Sequence, residues 1–110
     1  MVLSFIELKT TLRSRGEILE LLRYCADELR TKPGCLGTGV YKAGDQNETI
    51  LYLERWTSAE ELHRHIQSHL YLGVLNAMDL ASVPPDVRYY EVSETKSMEL
   101  IGALRNPDVA

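Results

Sequence analysis

Two kinds of apolar pattern divide the chain into strands and helices. Apolar residues recur at i, i+3, i+4 and i+7 along residues 17–31, which predicts an amphipathic helix ended by Pro33-Gly34. Four other stretches have the alternation or the continuous apolar runs that are typical of β-strands. Thr57 and Ser58 each precede a glutamate by three residues, the pattern of a capping box, so a second helix begins there. In chain order we predict strand 2–10, helix 17–31, strand 35–43, strand 49–56, helix 59–70 with a restart over 71–78, strand 87–93 and a short helix over 98–105.

This order of elements, β-α-β-β-α-β, predicts an α+β fold. It is the order of the ferredoxin-like fold, a four-stranded antiparallel sheet with its helices on one face. We expect one domain over residues 1–95, followed by a C-terminal tail, residues 96–110, that docks as a short helix.

The first and third strands carry apolar side chains on both faces, although two substantial helices cover only one face. A second copy of the chain is the simplest cover for the other face, so we predict a homodimer whose sheets pack face to face. Gly37 and Gly39 share one face of the second strand, which indicates close approach by a neighbouring element or a ligand.

Composition limits the partners. The chain has 110 residues, 45% hydrophobic and 25% charged, as in an ordinary small globular domain. Its formal charge of -4 and the lack of a basic cluster argue against binding to nucleic acid. The N-terminus has no basic region before its short apolar run, and no stretch approaches a membrane span, so we predict a cytoplasmic protein without a membrane partner. Cys25 and Cys35 are predicted to be reduced thiols.

Three histidines, His63, His65 and His69, lie close together in the second helical region. On a helix His65 and His69 share a face, at the edge of the apolar stripe. Such a pair is consistent with packing, with general acid–base catalysis or with zinc chelation. No HExxH motif or cysteine cluster supports a metal, so we predict no metal, and His65 and His69 are the candidate catalytic residues.

Aromatic residues suggest the walls of a substrate pocket. Trp56 is the only tryptophan and closes the third strand directly before the capped helix. It is either a core anchor or a pocket wall for an aromatic ligand. Tyr52 and Tyr71 are the further pocket candidates, as sources of phenol hydroxyls or aromatic surface.

Three segments together resemble the antibiotic biosynthesis monooxygenase domain family: KPGCLG at 32–37, YLERWTSAEEL at 52–62 and HIQSH at 65–69. The resemblance covers about residues 2–94 and implies a dimeric α+β barrel. Some members of that family oxidise quinols or polyketide aromatics with O2 and no cofactor, and others degrade haem. The haem-degrading members use an Asn, Trp and His set. Here His65 stands where those enzymes carry the catalytic tryptophan, Leu75 stands at the histidine position, and the first strand has no asparagine, which argues against haem degradation.

The leading hypothesis is therefore a cofactor-independent monooxygenase that oxidises a small quinol-like or aromatic substrate with O2. Two alternatives remain open at this stage. One is a non-catalytic dimeric module that binds a small apolar ligand. The other is an isomerase-type reaction on the same fold, which needs a base but no oxygen.

Overall fold

A computed structural model describes residues 1–106 and contains the elements in the predicted order. The 3₁₀ turn His69–Tyr71 joins the second helix to the third. Except for the second helix, the observed bounds lie within two residues of those predicted. The elements are β1 (Val2–Lys9), α1 (Arg15–Leu29), β2 (Cys35–Ala43), β3 (Thr49–Trp56), α2 (Ala59–Ile66), α3 (Leu72–Asp79), β4 (Asp86–Glu91) and α4 (Glu99–Arg105).

The four strands form one antiparallel sheet in the order β2-β3-β1-β4. Val2 at the start of β1 faces both Trp56 at the end of β3 and Glu91 at the end of β4. Cys35 at the start of β2 also faces Trp56, so these strand ends meet at one end of the sheet. The predicted ferredoxin-like α+β fold is confirmed.

The core lies between one face of the sheet and the helices. Alternate side chains of β1 and β3 are buried there, against the apolar stripe of α1, because successive strand residues point to opposite faces. Most of these side chains are apolar, and Ser4 and Glu54 are the polar exceptions on the same two strands. The buried positions that alternate along these two strands on the core face are Val2, Ser4, Ile6, Leu8, Ile50, Tyr52, Glu54 and Trp56.

The opposite face of the two central strands is less completely covered within the described chain than the core face is. Its apolar residues Leu3, Phe5, Leu51 and Leu53 are half-buried, in alternation with the fully buried positions. Gly37 and Gly39 belong to this face. A Cβ at Gly37 would meet the guanidinium of Arg55, and a Cβ at Gly39 would meet the ring of Tyr41. The close approach that the two glycines indicate is therefore made by side chains of the sheet itself.

The second helix ends at Ile66, and the prediction that it continues through Leu70 is wrong. Gln67 caps it with an N–H bond to the His63 carbonyl, and Ser68 then adopts extended backbone angles. The Ser68 hydroxyl donates to the His65 carbonyl at 2.6 Å, which satisfies one of the free carbonyls of the last helical turn. The predicted restart is confirmed as the 3₁₀ turn and α3.

The C-terminal tail contains the helix α4. None of its residues is buried, and Met98, Ile101 and Leu104 are 82%, 61% and 72% exposed. Docking of this helix and the boundary between domain and tail stay predictions, and residues 107–110 of the tail lie outside the described residues. Within residues 1–106, no helix is both long enough and apolar enough to cross a bilayer.

Candidate functional site

A cavity of about 380 Å³ opens between the C-terminal end of α1 and the helix α2. Its volume lies within the range of sites that bind small organic ligands. The apolar part of its lining consists of Leu29, Pro33, Trp56 and Leu70. The polar lining residues are Lys32, Glu61, Arg64, His65, Ser68 and His69.

Glu54, Trp56 and His65 form a hydrogen-bonded group behind the cavity wall. The side chains of Glu54 and His65 are 1% and 3% exposed, and Glu54 Oε2 lies 3.0 Å from His65 Nε2. The other oxygen, Oε1, accepts the indole N–H of Trp56 at 3.0 Å. As a carboxylate Glu54 only accepts, so His65 Nε2 donates and the lone pair of the neutral imidazole is on Nδ1. The carboxylate therefore selects one tautomer of His65.

Two aromatic rings hold the imidazole of His65 in place. Trp56 stacks on it, with ring centroids 5.1 Å apart and planes inclined by 27°. Tyr71 meets it edge-on, with centroids 5.2 Å apart and planes at 89°. Hydrogen bonding from one side and packing from two sides leave the imidazole little freedom to rotate.

Tyr52 points away from the cavity, into the core. Its hydroxyl donates to the thiol of Cys25 on α1 at 3.3 Å. Burial raises the pKa of Cys25 to about 11, an effect that the Tyr52 hydrogen bond partly offsets. Burial likewise raises the pKa of Tyr52 and that of Tyr71 well above the ordinary value for a tyrosine. These groups therefore stay protonated at neutral pH.

The predicted site residues are only partly brought together. Trp56, His65 and His69 line the cavity. Tyr71 does not line it but packs against the imidazole of His65, and Tyr52 does not line it either. Because α2 ends at Ile66, His65 and His69 do not share a helical face: His65 is buried and His69 is exposed to solvent. They reach the same cavity through the bend at Ser68.

One group in the described chain has the side chains that a metal ion would need. Donor atoms of Cys25, Glu54 and His65 all lie within 4.8 Å of one another, and all three residues are buried. These atoms already hydrogen-bond to one another or to Tyr52 and Trp56, and no buried side-chain nitrogen or oxygen within residues 1–106 lacks a partner. The group is complete as a polar network in the core, so we do not assign it to a metal.

Glu54 is the principal site residue that the sequence analysis missed. A signal for it exists, because Glu54 has the parity of Ile50, Tyr52 and Trp56 on β3 and so belongs to the buried face. A carboxylate at such a position is costly unless it is paired, and the nearby histidine cluster contained its partner.

Comparison with known proteins agrees with the fold. The profile of the family described as antibiotic biosynthesis monooxygenase matches residues 1–75, which include β1, Glu54, Trp56 and both cavity histidines. The chain belongs to this family. No curated protein matches the sequence.

Several solved structures share the fold. A proposed antibiotic biosynthesis monooxygenase from Deinococcus radiodurans is 22% identical, with a TM-score of 0.79 over 89% of this chain and 98% of that one. A protein from Mycobacterium tuberculosis is 21% identical, with a TM-score of 0.77 over 87% and 98%. A further proposed family member, from Nitrosomonas europaea, is 14% identical, with a TM-score of 0.75 over 86% and 100%. At these identities the likeness concerns the fold.

Proposed function

We propose that the protein is a cofactor-independent monooxygenase that oxidises a small quinol-like or aromatic substrate with O2. Its membership of the family supports a monooxygenase role, and the observation that carries the finer proposal is the Glu54–His65 pair at the wall of a largely apolar cavity. Two free thiols, Cys25 and Cys35, suit a reducing compartment, so a cytoplasmic location is part of the proposal.

The reaction needs little from the protein because the substrate is itself the reductant. A base takes one hydroxyl proton from a hydroquinone, and the phenolate passes an electron to O2. The resulting semiquinone and superoxide combine through a new C–O bond to give a hydroperoxide. Its O–O bond then breaks with loss of water, so hydroquinone and O2 yield hydroxyquinone and water. All four electrons that reduce O2 come from the substrate.

His65 is the proposed base. Glu54 holds its Nε2–H, so Nδ1 is available to accept the proton, and the carboxylate stabilises the imidazolium that forms. The proton returns to the leaving hydroxide as water is lost. His69, exposed and on the same cavity, is the second proposed proton acceptor and exchanges with solvent. Trp56 is the proposed wall for the aromatic ring.

Oxygen-uptake measurements with a panel of hydroquinones test this proposal. We expect uptake by the metal-stripped protein, one atom of ¹⁸O2 in the organic product and the other in water, and loss of both in His65→Gln but not in His63→Gln. His63 is an exposed histidine of the same helix that does not line the cavity. Absence of uptake with and without added metals would contradict the proposal. Substrate binding without turnover would favour the ligand-binding module, and anaerobic turnover would favour the isomerase-type reaction.

We further propose that the functional unit is a homodimer that packs the outer sheet faces together as an α+β barrel. The support is the row of apolar side chains on the two central strands, Leu3, Phe5, Leu51 and Leu53, which the helices leave half-buried. Light scattering after gel filtration measures the mass directly. A dimer has twice the chain mass of 12.5 kDa, and a monomer of 12.5 kDa at all concentrations would contradict the proposal.

A further inference from the structure

The permanently charged side chains that line the proposed substrate cavity are mainly basic, whereas the whole chain is acidic. The chain carries a formal charge of -4. The cavity lining contains two permanent cations, Lys32 and Arg64, and a single acid, Glu61. The two histidines of the lining add positive charge whenever they are protonated.

The two cations are not equivalent. Arg64 is neutralised, because its guanidinium lies 2.8 Å from Glu61 and 3.7 Å from Glu60. Lys32 takes part in none of the salt bridges within residues 1–106. Among the permanent cations of the lining, Lys32 is therefore the one without a carboxylate at salt-bridge distance in residues 1–106.

The turn after α1 holds Lys32 at the cavity. Its N–H donates to the Leu29 carbonyl at 3.1 Å, and its own carbonyl accepts from Cys35 at 3.3 Å. Gly34 follows at a φ of +84°, a conformation that favours glycine, and its carbonyl accepts the N–H of Thr57 at 2.9 Å. The backbone of Lys32 is thus bonded to α1 and to β2, and Gly34, two residues further on, is bonded to Thr57 just before α2.

We infer that the cavity selects a hydroxylated aromatic acid, with the ring against Trp56 and the carboxylate at the Lys32 ammonium. This inference rests on the proposed function for the identity of the reacting group, and it adds the acidic substituent. An apolar cavity wall lowers the local dielectric, so an ion pair at its mouth is stronger than one in bulk water. Lys32 is a specificity-determining residue and takes no part in the proton transfer.

Binding of a matched ligand pair tests the inference without turnover. The probes are 2,5-dihydroxybenzoate and its neutral amide, which have the same reacting ring and nearly the same size. Because Trp56 is the only tryptophan, the chain has one indole N–H resonance, and its shift during an NMR titration reports binding at the cavity. Anaerobic samples prevent oxidation during the measurement.

We expect the carboxylate to bind about fivefold more tightly than the amide, the effect of one partly exposed ion pair. The preference should vanish in Lys32→Gln and should persist in Lys32→Arg. It should also vanish in about 0.5 M salt, because interactions between exposed charges are then screened beyond about 4 Å. The control is Lys42→Gln, an exposed lysine of β2 outside the cavity, which should behave as the unchanged protein does.

Equal affinities of the two ligands for the unchanged protein, or a preference that survives in Lys32→Gln, would overturn the inference. Failure of the proposed function looks different. Lys32-dependent binding of the acid without oxygen uptake would contradict the monooxygenase proposal and still support the acid-binding site. Equal oxidation of the acid and the amide would contradict the acid-binding site and still support the monooxygenase proposal.

Discussion

Replacement of Glu54 by glutamine separates the stability of the buried network from its proposed role in catalysis. The change keeps the size of the side chain and one oxygen that can still accept the indole N–H of Trp56. Toward His65 it presents an amide NH2, which is a donor where the carboxylate was an acceptor. The imidazole must then accept at Nε2, so its proton moves to Nδ1 and the proposed base loses its lone pair.

The expected cost in stability is small compared with the expected cost in activity. Hydrogen bonds to a charged group contribute about 1.5–3 kcal/mol each and neutral ones about 1 kcal/mol, so Glu54→Gln should cost about 1–2 kcal/mol in the free energy of unfolding. For a domain of this size that corresponds to a fall in Tm of about 4–9 °C. Loss of a correctly oriented general base should lower kcat by about a hundredfold to ten-thousandfold.

Urea unfolding followed by circular dichroism measures the first quantity, and oxygen uptake with a hydroquinone measures the second. Glu28→Gln, an exposed position on α1, controls for the loss of one negative charge. A Glu54→Gln variant that is folded and retains the original kcat would refute the reasoning about the tautomer. A change in unfolding free energy below about 0.5 kcal/mol would refute the extra strength that we assign to hydrogen bonds with a charged carboxylate.

Three further predictions concern the interface, the thiols and the core tyrosine. Leu53→Asp on the outer sheet face should convert the proposed dimer into a monomer by light scattering, because it places a charge at the centre of the apolar row, whereas Leu12→Asp, at an 85% exposed position, should not. Because burial raises the pKa of Cys25 to about 11, this thiol stays protonated from pH 7 to 9. Ellman's reagent should therefore modify only Cys35 in the folded protein and both cysteines in denaturant. Rapid reaction of two thiols in the folded protein would contradict the burial of Cys25. Tyr52→Phe removes only the hydroxyl that bonds to Cys25, so it should cost about 1 kcal/mol in unfolding free energy and leave kcat unchanged; a large fall in kcat would place Tyr52 back in the site.

The fold was largely predictable from local pattern. The strand alternation, the stripe of α1, the turn at Pro33-Gly34 and the Ser58 cap all have short-range physical causes. In the structure the Ser58 hydroxyl accepts the N–H of Glu61 at 3.3 Å, as the capping pattern predicts. The end of α2 was harder to predict, because the apolar spacing of Leu62, Ile66 and Leu70 continues across the bend at Ser68. Leu70 packs against the core, so this position carries an apolar residue whether the helix continues or ends at Ile66. Hydrophobic periodicity alone therefore does not show the break.

The candidate site was predictable in its residue types but not in its connections. The sequence singled out Trp56, His65 and His69, and all three reach one cavity. The sequence also placed Tyr52 in the pocket, but alternation along β3 shows only that this side chain points inward, not whether it meets a ligand or a helix. In the structure its hydroxyl meets Cys25 of α1.

By itself the sequence determined the class of fold, the order and nearly all bounds of the elements, and the excess of apolar sheet surface, because these depend on the period of polar and apolar residues. Only the tertiary structure decided that Glu54 on β3 binds His65 on α2, eleven residues away, and that Lys32 after α1 faces the same cavity. Such contacts depend on the distance and direction between separate elements, and these are set by how the helices pack on the sheet.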